Sequence, residues 1–323
     1  MTICTLKNSI GRAAHIAFAL LLVSLGSQSA LAHTNGLAPS FGQPARFPGA
    51  RGSDGFMRAV NSRTSLLYVS DRTNSLIDVF DRSTGNVVGE IRSGLRAPVG
   101  LFVDSNHNLW VANGADNDIL EFPRGATKPS ERLKDPNQPN DVTMCPDGTL
   151  YVADAFGQGG VGVFPPGSQR ATRRLEAEVS NAGGFEDFVT CDSNGNVFAS
   201  GFVGASPGPG VTGWMGGTQS GYQFVTWNSS EDGIKATRKN TLLIVDGGNI
   251  VEYTEKGHAT GVSIGTSSQW VDLALDKSNN VIFGAVPSLY VCQSLEFPSG
   301  TPISEYSTSN FADPEGVAID PGG

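Results

Sequence analysis

The sequence predicts an all-β fold: a six-bladed β-propeller of four-stranded antiparallel blades. Three observations lead there. A two-strand phrase recurs down the chain, most clearly as "QPNDVTMCPDGTLYVADAFG" at residues 138–157, with companions "APVGLFVDSNHNLWVAN", "FEDFVTCDSNGNVFAS", "EDGIKATRKNTLLIVD" and "QWVDLALDKSNNVIFG". The head residues of the phrase, Val99, Asn140, Asp187, Asp232, Val271 and Glu315, are spaced by 41, 47, 45, 39 and 44 residues. That period is the length of one four-stranded propeller blade. Glycine is abundant (41 residues, with 18 prolines) and long helical patterns are absent, as expected of many short strands joined by tight turns.

The first 32 residues read as a targeting leader. Lys7 and Arg12 form a basic start, "AAHIAFALLLVSLG" an apolar stretch too short to span a membrane, and "ALA" at Ala30–Ala32 a small-residue cleavage site. The mature chain is expected to begin near His33, secreted or periplasmic, with no membrane span. Residues 33–53 are a loose Pro/Gly-rich lead-in, and 54–323 a single propeller domain.

Each unit has an inner strand entered at its head residue, a polar turn, and an aliphatic or aromatic second strand. A third strand then ends in an aromatic before a turn: Phe80, Phe122, Phe164, Tyr253 and Phe297. Alternation of side chains along a strand lets such a residue pack between neighbouring sheets. A shorter fourth stretch follows, such as "VVGEI" or "PISEYS". The turn column, "SNHN", "PDG", "SNGN" and "SNN", reads as Asx-type turns between first and second strands. In the fourth unit "GFVGASPGPGVTGWMGG" reads as a Gly-rich insertion, and the segment Gly201–Gly221 carrying Trp214 is the candidate ligand-binding loop.

The last phrase, "DPEGVAIDPGG", is an inner strand with nothing after it, while "SLLYVSDRTNSLIDVFD" supplies outer strands with no inner one. Pairing the two closes the ring and removes the open sheet edges. The competing reading makes "DGFMRAV", residues 54–60, an inner strand and the C-terminal strand part of a seventh blade.

Charge and cysteines narrow the function. The net charge is −9, and losing Lys7 and Arg12 with the leader takes it to −11. No Lys/Arg cluster in the sequence suits nucleic acid or an anionic lipid surface. Cys145, Cys191 and Cys292 remain after the leader, an odd count with no metal-binding spacing, so one thiol is left over whatever pairs. Cys145 stands in the column held elsewhere by Asp104, Asp192, Asp276 and Asp320.

The phrases "PVGLFVDSNHNLWVAN", "PNDVTMCPDGTLYVAD" and "PEGVAIDPGG" resemble the NHL-type repeat and the related blades of gluconolactonase-like and virginiamycin B lyase-like propellers. The resemblance spans residues 54–323. The lyase-like relatives imply a His/Glu/His metal cluster, but His33, His107 and His258 head no inner strand. The gluconolactonase-like relatives imply a divalent cation, calcium or zinc, held by Glu, Asn and Asp at strand heads. Glu315-Gly316, Asn140-Asp141 and Asp232-Gly233 match in residue type, with Asp187 standing where that pattern has Asn.

Apart from any family, the ring geometry brings Asn140, Asp187, Asp232 and Glu315 to one channel rim. Converging carboxylates raise one another's pKa or draw in a cation, and oxygen ligands of this kind suit Ca²⁺ or another hard divalent ion. The expectation is therefore an exported binding scaffold, non-catalytic, for a protein, glycan or small ligand. The alternative is a metal-dependent lactonase- or esterase-like hydrolase with its metal at that rim.

Overall fold

The computed structural model describes residues 54–155, 160–176, 185–203, 208–218, 222–226, 231–266 and 268–322. The leader and lead-in expected over 1–53 lie outside the described residues. The strands form six antiparallel sheets. Blade one holds β1 (Gly55–Met57), β2 (Leu66–Asp71), β3 (Leu76–Asp81) and β4 (Val87–Ile91). Blade two holds β5 (Pro98–Val103), β6 (Leu109–Asn113), β7 (Asp118–Phe122) and β8 (Glu131–Lys134). Blade three holds β9 (Pro139–Met144), β10 (Leu150–Asp154), β11 (Val161–Phe164) and β12 (Arg173–Leu175). Blade four holds β13 (Phe185–Cys191), β14 (Val197–Val203), β15 (Gly208–Trp214) and β16 (Tyr222–Thr226). Blade five holds β17 (Glu231–Ala236), β18 (Leu242–Asp246), β19 (Asn249–Tyr253) and β20 (Ala259–Gly265). Blade six holds β21 (Asp272–Leu275), β22 (Val281–Val286), β23 (Val291–Glu296) and β24 (Pro302–Tyr306). The final strand, β25 (Pro314–Asp320), returns to blade one.

The closure is the one the sequence predicts. Strand β25 pairs antiparallel with β2, Leu67 opposite Ile319 and Val69 opposite Val317, and becomes the innermost strand of blade one. The segment read as a rival inner strand is instead β1, paired on the outer edge of β4. It makes blade one five-stranded, and the ring has six blades. Asp320, fully buried at the end of β25, latches the closure to blade two through His107 Nδ1 at 2.7 Å and the Arg124 guanidinium.

Burial falls off from the axis outwards. The second strands of blades one, two and three are buried at every position. The outer strands β20 and β24 are mostly exposed, and β8 is half exposed. A second strand is covered on both faces because a neighbouring blade lies on each side, which is why "LLYVS" and "LYVA" read as continuous apolar runs. Successive residues of β2 show the division. Leu66 and Tyr68 join the core shared with blade two, while Leu67 and Val69 join the core shared with blade six. Six such apolar clusters occur, one at each blade–blade interface.

Trp214, expected in a binding loop, lies elsewhere. It ends β15, is fully buried, and packs with Tyr151, Val161 and Val189 between blades three and four. It sits opposite Val197, as Phe122 sits opposite Leu109, Phe164 opposite Leu150 and Tyr253 opposite Leu242. Trp214 is thus blade four's member of the aromatic column, and much of the supposed insertion is a third strand. The glycines of "GPGVTGW" hide the alternation that marks its counterparts.

The turn column behaves as expected of Asx turns. Asp104 accepts from the amides of Asn106 and Asn108 at 2.8 and 2.9 Å, and Asp192 from Asn194 and Asn196, both at 2.8 Å. Cys145 takes a different role from its column. It forms a disulfide with Cys191, the last residue of β13, so the innermost strands of blades three and four are stapled together. Cys292 remains a buried free thiol.

Candidate functional site

The inner strands pack in order around the axis: β25, β5, β9, β13, β17 and β21, with β21 against β25 again. All enter from one end, which therefore gathers the six head residues. Gly316 and Gly233, each following its head residue, are there for close approach. A β-carbon on Gly316 would lie 2.0 Å from the carbonyl oxygen of Val99 in blade two, and one on Gly233 would lie 2.7 Å from the α-carbon of Asp272 in blade six. Ser70 adds to this seam, donating to the Val99 carbonyl at 2.6 Å and accepting from the Gly316 amide at 2.8 Å.

At the rim, Asn140 Nδ2 donates to the Asp187 carbonyl at 2.9 Å, tying blade three to blade four. Glu315 is largely buried, with Arg72 at 3.8 Å. Burial, and after it Asp313, pushes its pKa up to about 7; Arg72 opposes the shift, and Asp272 and Asp187 add to it. The structure thus brings Glu315 and Asp187, on opposite blades, within electrostatic reach of each other. Asp232 belongs to β17, and its side chain lies outside the described residues. Val99 and Val271 complete the ring. Among the described residues, no three His, Cys, Asp or Glu side chains converge as a metal-binding group.

One step down the channel lies a cluster the sequence reading passed over. Asp141 of blade three and Asp272 of blade six, opposite one another in the ring, are both fully buried. Each also reaches sideways. Asp141 accepts from the Val189 amide of blade four, and Asp272 from the Val317 amide of blade one, both at 3.0 Å. Lys235 of β17 extends its ammonium between them, 3.7 Å from Asp141 and 3.9 Å from Asp272. Among the described residues, its Nζ makes no direct hydrogen bond. The three side chains form a crossbar over the axis.

One ammonium cannot neutralise two carboxylates, and that sets the electrostatics. Burial raises Asp141 to about 7 despite Lys235, with Asp272 adding to the rise. Burial also raises Asp272, against the pull of Lys235. For Lys235, burial favours the neutral amine, but the two aspartates outweigh it and hold the pKa above its usual value. The sequence carried one hint. Three residues inside the head, the six inner strands hold Phe102, Thr143, Thr190, Lys235, Ala274 and Ala318, so Lys235 is the one charge in its column.

Both described post-leader histidines sit at turns. His107 is bound to Asp320, and His258 is exposed in the turn before β20. Neither lies at the strand-head mouth, so neither supplies it with a base.

Solved structures with the same architecture are numerous. One, a nidogen/laminin complex, matches with a TM-score of 0.65 at 10% identity, over 79% of this chain and 98% of that one. A functionally unknown protein from Desulfotomaculum acetoxidans matches at 0.58 and 12% identity, over 79% and 98% of the two chains. Kuenenia stuttgartiensis hydrazine synthase matches at 0.57 and 13% identity, over 83% and 90%. At these identities the likeness is one of fold: the chain is a six-bladed β-propeller. No family model matches the sequence, and comparison with curated proteins finds no match.

Proposed function

We infer that this chain is an exported, non-catalytic binding propeller whose strand-head mouth receives a basic group of a protein partner. The observation that carries the reading is the charge of that mouth. Among the described residues, three buried carboxylates, Glu315 at the rim and Asp141 and Asp272 beneath it, have two cations as their ion-pair partners, Arg72 and Lys235. A concave, partly dry site with surplus carboxylates attracts a cation of any kind. The repeat phrase supports a place in the NHL-type superfamily. The nidogen/laminin likeness supports a protein-binding role for such a propeller. The Cys145–Cys191 disulfide supports export to an oxidising compartment.

The test is calorimetric titration with an oligolysine peptide and, separately, with Ca²⁺. The expected result is saturable peptide binding at pH 8 that weakens at pH 5, as Glu315 and Asp141 take up protons, and weakens again in Glu315→Gln/Asp187→Asn. Binding indifferent to those substitutions would overturn the reading. So would Ca²⁺ binding accompanied by turnover of lactones or esters, which would favour the metal-dependent hydrolase with Asn140, Asp187, Asp232 and Glu315 as ligands.

A further inference from the structure

An apolar pair stands on the face that holds the mouth. Inner strands run away from the mouth and second strands run back towards it, so the connection from second to third strand lies on that face. In blade six the head residue Val271 donates its amide to the Ala285 carbonyl at 3.1 Å, β22 ends at Val286, and Pro287–Leu289 make a single 3-10 turn before β23. Val286 and Val291, on either side of the connection, belong to the core. Leu289 and Tyr290 do not: they are 45% and 55% exposed. Among the described residues three large apolar side chains are exposed, and these two are adjacent in the chain.

Tyr290 is also the odd member of its column. The residue just before the third strand has a left-handed backbone in blade after blade: φ is 51° at Ser75, 56° at Asn117, 82° at Gly160, 106° at Gly248 and 58° at Tyr290. Four of these are the small or short polar residues that such a backbone favours, whereas a bulky side chain there is an outlier. The fold gives the tyrosine nothing in return. It joins neither apolar cluster of blade six, and among the described residues its hydroxyl has no hydrogen-bond partner. A strained, exposed aromatic with no internal role points to a contact outside the chain.

The surroundings say what kind of contact. The blades on either side of blade six bring carboxylates to the same end. Asp246 ends β18 in blade five, while Asp313 and Glu315 stand at the entry to β25 in blade one. Arg72, 3.8 Å from Glu315, is the cation among them. An apolar pair set between acidic neighbours complements a basic segment that carries a large apolar side chain. An acidic segment would meet repulsion on both sides.

We propose that Leu289 and Tyr290 select the partner of the mouth: they receive an aromatic side chain that the partner protein carries next to its basic group. The proposal rests on the reading of the mouth as the place of that basic group. An aromatic side chain has the area to cover both residues, and its ring can pack against that of Tyr290. The acidic mouth then supplies attraction to any cation, and the apolar pair distinguishes one basic segment from another.

The test is titration of the full chain with two peptides of equal side-chain charge: hexalysine, and a peptide of six lysines with one tryptophan at its centre. The tryptophan peptide is expected to bind about tenfold tighter. Leu289→Ser/Tyr290→Asn should remove that advantage and leave hexalysine within about twofold of its wild-type affinity. Glu315→Gln/Asp187→Asn should weaken both peptides alike. Tyr290→Asn alone should melt at or above the wild-type temperature, because asparagine suits the left-handed backbone. A lower melting temperature would give the tyrosine a structural role and overturn the proposal. Equal affinity of the wild type for the two peptides, no binding of either, or an advantage that survives in Leu289→Ser/Tyr290→Asn would overturn it too. Binding of the tryptophan peptide that ignores Glu315→Gln/Asp187→Asn but falls in Leu289→Ser/Tyr290→Asn would support the apolar contact and remove the acidic mouth, so the two readings fail separately.

Discussion

Asp141 and Asp272 occupy the same position of opposite blades and share one counter-ion, the Lys235 ammonium, 3.7 and 3.9 Å away. Removing one partner from a buried ionic cluster leaves uncompensated charge and typically costs about 3–5 kcal/mol. Lys235→Met is expected to destabilise the fold by about 3 kcal/mol at pH 8. The loss should shrink at pH 5, because the aspartates can then be buried protonated. Urea unfolding at the two pH values measures this. A loss that is the same at both would show that the crossbar is not ionic.

The rim gives a separate pH dependence. Glu315 is raised to about 7 in the fold, against about 4.3 in an unfolded chain. Between those values the native state holds a proton that the unfolded state has lost. Stability from this group is therefore present below about pH 4 and declines as pH rises through 7. Asp141 acts in the same direction. Glu315→Gln should be more stable than wild type at pH 8, by on the order of 2 kcal/mol, with little difference at pH 4. Parallel stability–pH curves for the two proteins would contradict the assignment.

The Cys145–Cys191 bond closes a loop across the boundary of blades three and four, with a sequence separation of 46. A cross-link over a loop of this size stabilises by ~3–4 kcal/mol, chiefly by restricting the unfolded chain. Cys145→Ser/Cys191→Ser should lower stability by about that amount while the ring still closes through β2 and β25. In thermal melts the double variant and the reduced wild type should melt together, both below the oxidised wild type. An unchanged melting temperature on reduction would mean the staple carries no stability.

Much of the fold was legible because a propeller repeats its physics. Every blade needs a second strand buried on both faces, and in blades two to six the turn leading into it is closed by its own Asp or Thr, so the pattern returns at one period and its register can be counted. Blade four was the exception. Trp214 follows a glycine-rich stretch, and alternation cannot be read where alternate residues have no side chain. Gly316 shows a different limit. Beside Glu315 it resembled half of a metal-binding motif, yet the close backbone of Val99 already requires a residue without a β-carbon there.

By itself, the sequence determined the six-fold repeat, the closure of the ring by β25 and the convergence of Asn140, Asp187, Asp232 and Glu315 on one end. Those follow from period and strand direction, which are local properties of the chain. Only the tertiary structure decided that Cys145 meets Cys191 and that Lys235 reaches Asp141 and Asp272. Each of these joins residues of different blades. Their meeting depends on the distance and rotation between sheets, which no single repeat encodes.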